Sequence, residues 1–240
     1  MNTDNTVNPC EIEKTAYVFG AAPMGDISRL IPKNGYVIAA DGGLNATKKF
    51  GLTPDLALGD FDSLGFVPNG EYKTEIHPVE KDDTDMGIAV KTAIQNGYTR
   101  LFLFGGMGGD RPDHTLSNLQ TLVYAAKRGA TAFLTDGEVC FTAIGSGKKL
   151  CFPENYRGNL SVFSAEGIAE GVTIKGTKYT VENATLSGDF PLGVSNSFIA
   201  PDTAKHGKSL QNTEISVKLG TLWIYFDCKD KTTDQFPIIK

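Results

Sequence analysis

Hydrophobic and polar positions change rhythm once along this chain. Up to about residue 136, short unbroken apolar runs alternate with segments whose apolar residues recur at helical spacing. The runs "TAYVFGAA" (15–22), "GYVIAA" (35–40), "DLALGD" (55–60) and "RLFLFGG" (100–106) have the pattern of strands buried on both faces. "TEIHPV" (74–79) and "TAFLTDG" (131–137) are two further strand candidates. Between them, "GGLNATKKFG" (42–51) reads as a short helix ended by Gly51, and "DMGIAVKTAIQNG" (85–97) carries Met86, Val90, Ala93 and Ile94 on one face before Gly97. "PDHTLSNLQTLVYAAKRG" (112–129) opens on Pro112 and closes on Gly129, as helices do. Strands alternating with crossover helices predict a mainly parallel sheet covered on both faces.

From about residue 137 the helical period disappears. "EVCFTAIGSG", "KKLCFPE", "NLSVFSAEG", "GVTIKGTKYTV", "ATLSGDF", "VSNSFIA", "EISVKLG" and "TLWIYFDC" are β-rich runs separated by turn residues. The expectation is an α/β domain over residues 1–136 and an all-β, jelly-roll-like sandwich over 137–240. No long linker lies between them, so they should pack closely.

Composition narrows the class only a little. With 240 residues, 40% hydrophobic and 21% charged, the chain can bury a real core and is neither disordered nor fibrous. Its N-terminus lacks the basic and apolar regions of a secretory signal, and no apolar run could span a bilayer, so a cytoplasmic protein with no membrane role is expected. Cys10, Cys140, Cys151 and Cys228 are far apart with no CxxC, which argues against a disulfide framework or a zinc site. The net charge of -5 belongs wholly to residues 1–136, which hold 17 Asp and Glu against 12 Lys and Arg. Such a balance disfavours nucleic acid and suits a cation or a substrate that arrives with one.

The acidic residues concentrate at predicted strand ends. Asp41 closes one strand in "ADGGLN", where Gly42 and Gly43 would let backbone approach a ligand without a Cβ in the way. Asp60 and Asp62 stand two apart in "GDFDS", and extended backbone there would put both carboxylates on one side. Asp82, Asp83 and Asp85 crowd "KDDTD", where Asp82 or Asp83 could cap the following helix. The fourth turn, "GGMGGDRPDH", is glycine-rich and carries Arg111, Asp113 and His114. Ligands of open parallel sheets bind at such strand ends. Clustered carboxylates repel unless a cation sits among them, and Mg²⁺ shared with substrate phosphates is the simplest such cation. Neither a Walker loop nor GxGxxG occurs, and "FGAAPMG" fits neither.

Taken in order, "ADGGLN", "GDFDS", "KDDTD" and "GGMGGDRPDH", with "GTKYTVENATL" and "GVSNSF" further on, resemble the signature blocks of the thiamine pyrophosphokinase family. The likeness runs from about residue 15 to 226. It implies a homodimer with active sites at the subunit interface, where ATP and thiamine give thiamine diphosphate and AMP with Mg²⁺. It implies Asp41, Asp60, Asp62 and Asp85 as catalytic residues, the last three as metal ligands. Gly42, Gly43, Asn45, Ser63, Lys81, Asp82, Thr84, Arg111, Asp113 and His114 would serve nucleotide and phosphate, and Ser195, Asn196 and Phe198 thiamine. Asp110 and Asp83 depart from the family pattern. Trp223 is a second candidate for a ring contact, although a core position suits it better. Two alternatives share the acidic turns: a hydroxymethylpterin diphosphokinase and a non-catalytic metal-nucleotide sensor.

Overall fold

The computed structural model describes residues 14–31, 34–62, 65, 68, 70, 72–78, 80, 82–154, 156–199 and 212–240. Ser63, Lys81 and Cys10 lie outside them. The first half follows the predicted order: β1 (Thr15–Phe19), β2 (Tyr36–Ala40), α1 (Gly43–Lys49), β3 (Leu56–Gly59), β4 (Lys73–Ile76), α2 (Asp85–Gln95), β5 (Arg100–Phe104), α3 (Pro112–Lys127) and β6 (Thr131–Thr135). Gly51, Gly97 and Gly129 all adopt left-handed φ, at 69°, 81° and 76°. Each stands one residue beyond a helix C-cap, where left-handed backbone favours glycine.

The second half contributes β7 (Val139–Ile144), β8 (Lys149–Cys151), β9 (Asn159–Ser164), β10 (Ile168–Lys175), β11 (Val181–Ser187), β12 (Gly193–Ser197), β13 (Glu214–Ser216), β14 (Leu222–Asp227) and β15 (Ile238–Ile239). Among the described residues the strands form two sheets. One runs β12-β9-β14-β7-β6-β5-β1-β2-β3-β4, the other β11-β10-β13-β8-β15. The α/β-then-sandwich fold expected from the sequence is thus present, but hydrogen bonding does not break at residue 137. β1 to β6 pair in parallel, whereas β7 turns back antiparallel on β6, with Leu134 opposite Phe141 and Thr135 opposite Cys140. Asp136 fixes this reversal: its Oδ1 accepts from the backbone N–H of Glu138 at 2.9 Å and of Val139 at 3.0 Å.

One core layer lies between the two sheets and continues under β1, β5 and β6. There Tyr17, Phe102, Phe104 and Phe133 form a row of stacked rings with centroids 5.3–6.5 Å apart, closed at one end by the edge of Phe236. Such pairs contribute roughly 0.5–1.5 kcal/mol each beyond area burial. The opposite face of the parallel strands packs on α2 and α3 through Met86, Val90, Ala93 and Leu122. Both faces of β5 and β6 are therefore buried, which is why those strands read as unbroken apolar runs. Cys140 and Cys228 are buried free thiols and Cys151 is half-buried. Burial pushes the Cys228 thiol up to about 11 and the Cys140 thiol well above its usual value, so both stay protonated.

Candidate active site

β1 sits between β5 and β2, and the chain leaves it towards β2 on one side while β5 arrives later on the other. This is the switch point at which open α/β sheets form a crevice. A cleft of about 330 Å³ opens there, lined by Gly20, Asp41, Asp85, Gly105 and Arg111 among others. Glycine makes the opening possible. A Cβ on Gly20 would lie 2.5 Å from the Gly105 carbonyl oxygen, and one on Gly105 2.4 Å from that of Gly20. The two strand exits touch backbone to backbone, bonded by Gly20 N–H to Phe104 O at 2.8 Å and Ala22 N–H to Gly105 O at 2.9 Å.

On the β2 side, Asp41 adopts φ 47°, a left-handed conformation that Asp tolerates better than most residues. Gly59 packs against it; a Cβ there would stand 3.1 Å from Asp41 Cα. The ends of β2 and β3 thereby close together, and Asp41, Asp60 and Asp62 each bring a carboxylate oxygen within 4.8 Å of the others. The segment carrying Asp60 and Asp62 is not extended, contrary to the simplest reading of their spacing. Phe61 between them has φ 59° and buries its ring against Ala39, Leu44 and Ala57. A turn, anchored by an aromatic side chain, aims both carboxylates at Asp41, and Asp62 N–H donates to Asp60 Oδ1 at 3.2 Å. Such strained φ values cluster at functional sites.

Gly42 and Gly43 act differently from the expectation. Gly42 precedes α1 with helical φ, and a Cβ on Gly43 would fall 1.9 Å from the Phe19 carbonyl oxygen. The missing side chain lets α1 seat on the end of β1, not a ligand approach. Asn45 is exposed on that helix. At α2 the cap is Thr84, whose hydroxyl accepts from Gly87 N–H at 3.1 Å, and not Asp82 or Asp83. Asp83 instead accepts from Thr84 N–H at 2.9 Å and pairs with Lys91 at 2.5 Å. Asp85 opens α2 and lines the cleft with Asp41, outside the compact three-carboxylate group.

Arg111, which lines the cleft, and the exposed Asp113 form a two-pronged pair, with Nε to Oδ1 at 3.0 Å and a terminal nitrogen to Oδ2 at 2.8 Å. The guanidinium lowers the Asp113 carboxyl to about 2. His114 and Asp110 also face the cleft. Two contributors escaped the sequence reading. The turn "GAA" after β1 forms one wall, and Asn118 projects from α3 with its amide donating to Gly106 O at 2.6 Å. Asn118 carried a signal: it is a polar residue one turn before Leu122 on the apolar face of an amphipathic helix.

Ser195, Asn196 and Phe198 are elsewhere. β12 is the far edge of the long sheet, six strand spacings from β1, roughly 30 Å at ~4.8 Å each. Ser195 is exposed at φ 60° in a bulge of β12. Asn196 is buried, and its side chain accepts from the N–H groups of Tyr179 and Ser197 and donates to Thr177 Oγ1 and Tyr179 O. Phe198 packs on Phe152 and Tyr156 in the sandwich core. Trp223 is half-buried, and its indole N–H donates to Leu119 O on α3 at 3.0 Å.

The fold and cleft together define an α/β protein with a ligand crevice at its switch point, flanked by acidic strand ends. The family models "Thiamin pyrophosphokinase, catalytic domain" and "Thiamin pyrophosphokinase, vitamin B1 binding domain" match residues 27–134 and 149–205, together well over half the chain. The chain belongs to the thiamine pyrophosphokinase family. It is 29% identical over 168 residues to the thiamine pyrophosphokinase of Bacillus subtilis (strain 168), covering 68% of this chain and 78% of that protein. With "Thiamin pyrophosphokinase 1" of Caenorhabditis elegans it shares 26% over 204 residues, 79% and 81% of the two chains. The crystal structure of the Bacillus subtilis enzyme superposes with a TM-score of 0.74 at 23% identity, over 89% of this chain and 99% of that one. Yeast thiamin pyrophosphokinase gives 0.64 at 15%, over 94% and 90%.

Proposed function

We propose that this protein is a thiamine diphosphokinase, which transfers the β,γ-pyrophosphoryl group of ATP to the hydroxyl of thiamine and releases AMP. The observation that carries the reading is the convergence of Asp41, Asp60 and Asp62 within 4.8 Å beside a glycine-walled cleft. Carboxylate oxygens are the donors Mg²⁺ prefers, and Asp41, Asp60 and Asp62 would hold it, with Asp85 on the cleft wall beside Asp41. A bound Mg²⁺ would offset charge on the polyphosphate.

In the transfer, the thiamine oxygen bonds to the β-phosphorus as the bond from that phosphorus to the α,β-bridging oxygen breaks, and AMP departs. The chain's own work is to position and to neutralise. Gly20 and Gly105, packed backbone to backbone, hold together the cleft wall that faces the polyphosphate, Arg111 at the mouth offsets its charge, and one carboxylate of the acidic group accepts the hydroxyl proton.

Thiamine reaches this cleft, in our reading, from a second subunit. Residues 1–136 form the catalytic domain and 137–240 the thiamine-binding and dimerisation domain of a cytoplasmic homodimer. Two observations support it. The β12 edge lies roughly 30 Å along the sheet from its own cleft. Around that edge Tyr179, Phe190, Leu192, Val194 and Ile199 leave 40–63% of their surface exposed, a patch that a partner would cover.

The test is to incubate the protein with ATP and Mg²⁺, with thiamine or a hydroxymethylpterin, and identify the nucleotide released. Thiamine-dependent AMP supports the proposal. Pterin-dependent AMP indicates the related diphosphokinase, and ATP binding without AMP a sensor. Asp62→Asn is expected to abolish AMP release while far-ultraviolet circular dichroism stays unchanged; near-normal turnover would sink the metal-site assignment.

A further inference from the structure

The glycine loop after β5 has few side chains with which to hold its own shape. Gly105, Gly108 and Gly109 adopt left-handed φ of 62°, 73° and 74°, and a Cβ at Gly108 would meet nothing within 4 Å. Glycine chains of this kind sample many conformations unless their peptide groups are tied. Here the ties come from α3. Asn118, 4% exposed, donates its amide N–H to the Gly106 carbonyl at 2.6 Å. One turn earlier, the Thr115 hydroxyl accepts the Gly108 N–H at 3.0 Å.

Positions 115 and 118 share a face of the helix, being three residues apart. One carbonyl and one N–H of the loop, two residues apart, are therefore suspended from a single helix face. On the other flank Gly105 O is held by Ala22 N–H. The fit around Asn118 is close: a Cβ on Gly106 would lie 3.0 Å from the Asn118 amide nitrogen. No apolar residue at 118 could supply this tie, which explains a buried amide beside Leu122 and Ala125 on the inner face of the helix.

We infer that Thr115 and Asn118 are positioning residues for the nucleotide: they hold the loop Gly105–Gly109 in the shape that receives the phosphates. The inference rests on the proposed function and names part of the same site. Each residue acts through the loop, so substitution weakens ATP binding and leaves thiamine binding and the chemical step nearly unchanged.

Thr115→Val keeps the shape and removes the hydroxyl; Thr115→Ser restores it; Asn118→Ala removes the second tie. The expected result is a KM for ATP raised about tenfold in Thr115→Val and in Asn118→Ala, the loss of about one hydrogen bond. kcat and the KM for thiamine stay within about twofold, and Thr115→Ser behaves as wild type. ATP alone, titrated calorimetrically, should show the same weakening. Thr115→Val involves a half-buried residue, so the test survives even where Asn118→Ala fails to fold. An unchanged ATP KM in Thr115→Val overturns the inference, as does an equal fall in kcat. Absence of thiamine-dependent AMP release by the wild-type protein overturns the proposed function instead, and ATP calorimetry still tests the loop.

Discussion

Arg111, at the mouth of the cleft, holds Asp113 in a two-pronged pair across one intervening proline, both side chains exposed to water. The pair begins α3, with Asp113 in its first turn, where negative charge is favoured. Because the Asp113 carboxyl is lowered to about 2, the pair's contribution is present above the ordinary carboxylate range near 4 and disappears as pH falls through about 2. It should persist across any pH at which the protein works. Arg111→Ala should return the carboxyl to about 3.9, read from the Asp113 side-chain carbon shift in an NMR titration. No change in midpoint would show that the guanidinium is not the cause. Exposed pairs contribute little to stability, so melting should move by less than about 3 °C.

Phe61 links the core to the acidic group, since its buried ring keeps Asp60 and Asp62 turned towards Asp41. Phe61→Ala should destabilise the protein by about 3 kcal/mol and also weaken Mg²⁺ binding, measured by denaturant unfolding and by metal titration. Phe61→Leu, which keeps an apolar anchor, should recover most of the metal affinity. Equal metal binding in all three proteins would show that the turn does not depend on the ring.

Two glycines beside helix α1 should respond differently to alanine. Gly51→Ala places a side chain in open space and costs only the left-handed backbone, ~1–2 kcal/mol. Gly43→Ala drives a methyl group to 1.9 Å from the Phe19 carbonyl, so α1 must lift from β1. Its thermal midpoint should fall by more than that of Gly51→Ala, and ATP affinity should fall with it because Asp41 stands two residues before this helix start. A smaller drop for Gly43→Ala would contradict the packing role.

Trp223 ties the β-half to α3 through a single N–H bond to Leu119 O. Trp223→Phe should cost about 1 kcal/mol in urea unfolding from the lost bond and leave thiamine KM unaltered. A selective rise in thiamine KM would instead assign the indole to the substrate.

Element types were legible in the sequence because buried parallel strands and amphipathic helices have different periods, and left-handed glycines mark the helix ends. The acidic turns could be placed at strand ends for the same reason. What spacing could not reveal was backbone conformation within the turns. Asp60 and Asp62 look like neighbours on an extended strand, yet a left-handed Phe61 sets their directions. Gly43 reads as a ligand-facing glycine, yet its neighbour is a carbonyl from a strand more than 20 residues earlier, a long-range contact that no local window contains. Asn118 was hidden within a helix whose face read as core, although an amide there needs a partner. The continuity of the sheet past residue 137 was likewise invisible: the pattern changes from the unbroken run of β6 to the alternating burial of β14, as at a domain boundary, although the hydrogen-bonded ladder runs on.

That continuity has a mechanical consequence. The β6–β7 ladder stitches the two halves edge to edge, and Lys127 of α3 is further clamped to Glu166 in the turn between β9 and β10. A hinge at this seam would have to break sheet hydrogen bonds, so the chain should behave as one stiff plate. Small-angle scattering of the protein should then show no hinge-type contraction when ATP binds.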